Sequence, residues 1–137
     1  ALTLLVEGYL DYQGLWNDLE TAFTNALDLA RSLNNDLYIA RFSSTLAWLN
    51  DQRGQYETAL ALTDESLRHY EAIQNDEGRA LTLQRQSGVY RKLRNFQKAR
   101  EVCDEAMDIC ARMNDKDLEA LIFTDYGKLA RDISGER

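Results

Sequence analysis

The sequence has no proline, one histidine and two cysteines. Without proline the strongest helix breaker is missing, and the seven scattered glycines leave a composition that favours helix throughout. His69 alone cannot build a His-rich metal site, and Cys103 and Cys110 lack zinc-finger spacing, so no metal is expected. Cys103 and Cys110 lie seven apart in what reads as one helix, which separates them by about 10 Å along the axis, more than the ~7 Å a disulfide spans. Two unbridged thiols suit a reducing compartment and predict a cytoplasmic protein. No Gly-x-x-x-x-Gly-Lys loop is present, and no cofactor is expected. The longest apolar run, Leu2–Val6 broken by Thr3, is too short to span a bilayer, and the start has neither the basic residues nor the cleavage site of a signal peptide. Because residue 1 is Ala1 rather than methionine, the chain is expected to be a fragment of a longer protein. Lysine and arginine number 16 against 23 acidic residues, a net charge of −7, which disfavours broad binding to nucleic acid or anionic membrane.

What is present is a repeat. Apolar residues make up 45% of a chain of 137, enough for the core of one domain. The same residue types recur every 40 positions, at Gly14, Gly54 and Arg94; at Trp16, Tyr56 and Phe96; at Leu19, Ala59 and Ala99; and at Phe23, Thr63 and Cys103. Small residues recur at Ala26, Ser66 and Ala106, and at Ala47, Ser87 and Gly127. Short polar triplets close the units: Asn34-Asn35-Asp36, Gln74-Asn75-Asp76 and Asn114-Asp115-Lys116. The spacing divides the chain into units at about 1–36, 37–76 and 77–116 and a partial unit at 117–137.

Each unit reads as two helices. Ile39, Phe42, Leu46 and Leu49 mark one helical face, Arg53-Gly54-Gln55 breaks it, and Tyr56, Ala59, Leu60, Thr63, Leu67 and Tyr70 mark a second. The triplets then turn the chain, since short polar side chains bond their own backbone. The expected fold is all-α, an array of antiparallel helix pairs with seven helices: three pairs and a final helix. Small residues serve where helices cross, and the aromatics after each turn would each contribute roughly 1.5–3 kcal/mol on full burial.

These residues resemble the tetratricopeptide repeat, whose signature pairs a Leu-Gly-x2-Tyr stretch with Gly-x-Tyr and Ala-x3-Phe. The matching stretches are Leu46-Ala47-x2-Asn50, Gly54-x-Tyr56 and Ala59-x3-Thr63; Ser87-x2-Tyr90, Phe96 and Ala99-x3-Cys103; Gly14-x-Trp16 and Leu19-x3-Phe23; and Tyr126-Gly127. The period of 40 instead of 34, and Asn/Asp in place of a terminal proline, resemble the longer-helix variety found in kinesin light chains, spindle-orientation adaptors and bacterial signalling ATPases and regulators, most closely the bacterial group. The resemblance implies a right-handed superhelix, an α-solenoid whose first helices line a concave groove that holds a peptide or a partner's helix. Carried over residue by residue, the groove falls on Leu4, Gly8, Asp11 and Tyr12; on Arg41, Ser44, Trp48, Asp51 and Gln52; on Gln84, Gly88, Arg91 and Lys92; and on Thr124, Lys128, Arg131 and Asp132.

Trp48 stands where the other units have Gly8, Gly88 and Lys128, and is either an exposed anchor or a packed residue. Arg91, Lys92, Lys128 and Arg131 are read either as a basic wall for an acidic partner or as a solvated helix face. Residues 77–116 carry nine basic and six acidic groups, and the run from Arg85 to Arg100 is read as a solubilising face or, less often, a contact for RNA or an acidic surface. Asp64-Glu65 and Asp104-Glu105, like His69, are read as solvated surface, because adjacent residues on a helix point apart. Cys103 lies in a core slot. No catalytic constellation emerges, so the chain is expected not to be an enzyme. The reading is a scaffold for protein–protein interaction within a signalling or regulatory protein. The alternatives are self-association or an intramolecular lock, favoured by apolar ends such as Leu2, Leu4 and Leu5, and a small-ligand sensor.

Overall fold

The computed structural model describes residues 2–135, with side chains from 14 to 135. Among these residues it is all-helical: α1 Leu2–Ser32, α2 Asp36–Gln52, α3 Tyr56–Ala72, α4 Asp76–Lys92, α5 Phe96–Met113 and α6 Lys116–Gly135. None of the helices is long and apolar enough to cross a membrane.

One turn is built five times. A left-handed residue stands at Asn34, Gly54, Gln74, Arg94 and Asn114, at a spacing of half the sequence repeat. In each case its amide donates three residues back and the next amide five residues back, as in Asn34 N to Arg31 O at 3.1 Å and Asn35 N to Ala30 O at 3.1 Å. This double closure satisfies the last carbonyls of the helix. The second of these residues also opens the next helix: Asn35, Asn75, Asn95 and Asp115 each accept from the amide three residues on, at 2.8–3.3 Å. A single Asn or Asp therefore ends one helix and starts the next.

The first unit departs from the expected seven helices. Its internal turn at Gly14 does not form, and α1 runs through it, giving six helices. Position 15 is leucine, 51% exposed, where the later units have Gln55 and Asn95. Leu15 has no oxygen with which to cap a new helix, so continuing the helical hydrogen bonds is the cheaper course. At Gly54 the uncapped turn is kept because α3 then packs along α2.

Each helix packs on the next, and α4 also lies beside α2 and α6. Ser66, ten residues past a turn, donates at 2.8 Å to the carbonyl of Ala40, placed similarly before it, so α2 and α3 are antiparallel. By contrast, no Cα atoms of α1 and α3, or of α3 and α5, approach within 8 Å among the described residues. The even-numbered helices thus form the close row, and the odd-numbered ones the open row.

Two apolar clusters make the core. Leu27, Ala30, Ile39, Leu46 and Leu49 form one around α1 and α2, and Leu83, Val102, Ile109, Cys110 and Ile122 anchor the other around α4, α5 and α6. Between them runs a buried polar seam. Thr82 Oγ1 lies 3.3 Å from Ser44 Oγ and 3.4 Å from Ser66 Oγ, and Gln86 donates to Thr63 Oγ1 at 2.9 Å. No buried side-chain nitrogen or oxygen among the described residues lacks a partner, so the seam carries no desolvation penalty of the unpaired kind. The small-residue slots meet one another here: Ser87 Oγ donates to the Ala99 carbonyl at 3.0 Å and touches Cys103 Sγ at 2.8 Å. Cys103 and Cys110 are buried, and burial pushes both thiols above their ordinary pKa.

Candidate functional site

Three helices of the close row line a solvent-open cavity of about 370 Å³. Trp48, Asp51 and Gln52 line it from α2; Leu81, Gln84, Arg85, Gly88, Arg91 and Lys92 from α4; and Leu121, Asp125 and Lys128 from α6. Eight of the residues nominated from sequence are here: Trp48, Asp51, Gln52, Gln84, Gly88, Arg91, Lys92 and Lys128. Others stand elsewhere. Arg41, Thr124 and Arg131 are exposed outside the cavity lining. Ser44 is 4% exposed and bonded within the polar seam, so it is a packing residue. The side chains of Leu4, Asp11 and Tyr12, like those of Leu2 and Leu5, lie outside the described residues, as does the surrounding of Gly8.

Trp48 is both packed and exposed. Its ring stacks on Trp16 with centroids 5.5 Å apart, yet it remains 42% exposed on the cavity wall. Gly88, one unit on, leaves the centre of the wall open: a Cβ there would meet nothing within 4 Å. Leu81 and Leu121, 37% and 42% exposed, extend the apolar wall. Both escaped the sequence reading, although their spacing of one full repeat marks them as equivalent positions.

Charged and polar rungs tie the cavity helices together at a constant separation of 41 residues. Arg85 Nη1 donates to the Ser44 carbonyl at 3.1 Å and to Ser44 Oγ at 3.0 Å. Lys92 Nζ reaches Asp51 Oδ1 at 2.9 Å, Gln84 Nε2 reaches Asp125 Oδ2 at 2.7 Å, and Arg91 Nη1 reaches Asp132 Oδ2 at 2.9 Å. Along α4, Arg85 and Lys92 point back to α2 while their neighbours Gln84 and Arg91 point on to α6. The Arg91 hydrogen bond holds the Asp132 carboxyl below its ordinary pKa. Arg91 and Lys92 are therefore staples between helices rather than a free basic wall. Arg85 differs: burial pushes its guanidinium pKa down, and its hydrogen bonds go to neutral oxygens.

The carboxylate pairs read as solvated surface are connectors. Asp64 accepts from Gln86 at 2.7 Å and Glu65 from Arg31 at 2.6 Å, while Asp104 accepts from the Tyr126 hydroxyl and Glu105 faces Arg79 at 3.5 Å. Adjacent residues do point apart, and here each finds a different neighbouring helix. His69 likewise meets Asp36 at 2.7 Å, half-buried between α3 and α2. No known family model matches the chain, and no curated protein is significantly similar to it.

Proposed function

We propose that the chain is a tetratricopeptide-like helical-repeat module. Its cavity receives a peptide or a segment of a partner protein, as part of a cytoplasmic signalling or regulatory protein. One observation carries the reading: every residue lining the cavity comes from α2, α4 or α6, the first helices of the repeat pairs. That is the surface the repeat resemblance assigns to ligand. A half-exposed tryptophan beside open glycine backbone and fixed polar groups is the composition of a recognition hot spot rather than of a solvated face. Capture from source-cell extract by the wild type and by Gly88→Trp tests it. The substitution fills the cavity without removing a bond. A protein retained by the wild type and lost by the variant, with melting unchanged, supports the groove. Equal retention by both sinks it.

A second reading is end-to-end self-association. Phe123 on α6 is 65% exposed, while its repeat equivalents Leu83 and Ser43 are 3% and 0% exposed beneath α5 and α3. At the other end Leu29 and Leu33 are 60% and 67% exposed. A mass that grows with concentration and reverts in Phe123→Glu favours this reading, and a concentration-independent monomer excludes it.

A further inference from the structure

The cations of the cavity are of two kinds. Arg91 and Lys92 are neutralised by Asp132 and Asp51. Arg85 and Lys128 have no carboxylate within ion-pair distance among the described residues. Asp125 lines the same cavity but is bonded to Gln84 and only 8% exposed. Arg85 is held in place through Nη1 alone, by the two oxygens of Ser44. Its Nε and Nη2 donors have no acceptor among the described residues and are not buried, on a residue that lines the cavity. The repeat does not require a cation here, since the equivalent positions are Thr45 and Asp125. A fixed guanidinium with its fork free is suited to a planar carboxylate. With Asp132 counted against Arg91, four cations face three carboxylates, and the two cations without an ion-pair partner, Arg85 and Lys128, leave the cavity a small positive excess in a chain whose net charge is −7.

We propose that the cavity takes an acidic peptide segment, in which the carboxylate of an aspartate or glutamate side chain bonds the free fork of Arg85 while adjacent apolar side chains rest on Trp48, Leu81 and Leu121. The proposal rests on the groove reading above and names the chemistry of its occupant. Lys128 supplies a second positive charge on the α6 side, where a flanking acidic residue gains from it without a fixed geometry.

Short random peptides displayed and selected against the wild type, Arg85→Gln and Gly88→Trp test the assignment. The expected result is enrichment of Asp or Glu next to large apolar residues on the wild type, loss of the acidic enrichment on Arg85→Gln, and no selection on Gly88→Trp. In a selected peptide, changing the acidic residue to its amide weakens binding to the wild type by roughly tenfold or more. That arm needs no protein variant, so it decides the question even if Arg85→Gln folds poorly. Selected peptides without acidic enrichment, or an amide swap without effect, overturn the Arg85 assignment while leaving the groove in place. No selection on the wild type, or selection indifferent to Gly88→Trp, overturns both.

Discussion

Lys92 reaches back to Asp51 across the cavity wall at 2.9 Å, one repeat plus one residue away. Three other rungs share that separation of 41. The extra residue reflects the offset between neighbouring first helices: a side chain meets not its own equivalent but the residue beside it. Asp51 is 12% exposed at its side chain and Lys92 33%, so the pair is partly screened by solvent. A double-mutant cycle with Asp51→Ala and Lys92→Ala is expected to give a coupling of about 0.5–1 kcal/mol, weakening as salt is raised. A coupling near zero would mean the rung is not formed in solution.

The two glycines of α4 make opposite predictions. A Cβ at Gly88 meets open space, so Gly88→Ala stabilises by about 0.5–1 kcal/mol through helix propensity. A Cβ at Gly78 would run into the ring of Tyr70, which is only 8% exposed. Gly78→Ala therefore destabilises, by about 1–3 kcal/mol. Thermal melts of the two variants should move in opposite directions, and a shared direction would show that the Tyr70–Gly78 packing is wrong.

Gln74 holds a left-handed conformation, with φ of 54°, at a position where helices most often place glycine. Its amide closes the turn on Glu71, and no side-chain bond is needed there. Gln74→Gly relieves the strain at the expense of unfolded-state entropy, for a net gain of about 0.5 kcal/mol. Urea unfolding at a constant slope measures it. A loss of stability would count against the turn geometry.

Glu65 accepts two hydrogen bonds from Arg31, and that contact holds its carboxyl below the ordinary glutamate pKa. A folded-state pKa below the unfolded one contributes stability above the unfolded value, and that contribution disappears as pH falls through the folded value. The stability advantage of the wild type over Glu65→Gln is therefore expected to be full at neutral pH and to shrink on acidification below about 4.3. An advantage independent of pH would place the effect in packing rather than in the ion pair.

The helical class was legible because its causes are local. Asn35, Asn75, Asn95 and Asp115 act on amides three residues away, and the apolar spacing of Ile39, Phe42, Leu46 and Leu49 describes one helical face. The row of cavity residues followed from the repeat register, which places Trp48, Gly88 and Lys128 at equivalent positions. What depends on relations between helices was hidden. A repeat argument sees only Gly14 beside Gly54, yet α1 runs straight through Gly14. Ser44 looks like a groove residue by spacing, but Thr82 and Arg85 draw it into the seam. Arg85 itself sat inside a basic run and was read as a solubilising residue. Only the positions of Asp51, Asp125 and Asp132 separate it from the paired cations Arg91 and Lys92. Asp64, Asp104 and Glu105 are exposed, as read, and Glu65 is half-buried; what stayed hidden is the link each of the four makes to another helix, since their partners lie at least 22 residues away.

The central claim is that ligand enters between α2, α4 and α6. Site-directed photo-crosslinking tests it most directly, with a photoreactive side chain replacing the exposed Gln52 on the cavity rim or Ala61 on the exposed side of α3. Irradiation in source cells is expected to yield a discrete crosslinked protein from position 52 and none from position 61. Crosslinks from position 61 with none from position 52 would contradict the account and move recognition to the open row of helices.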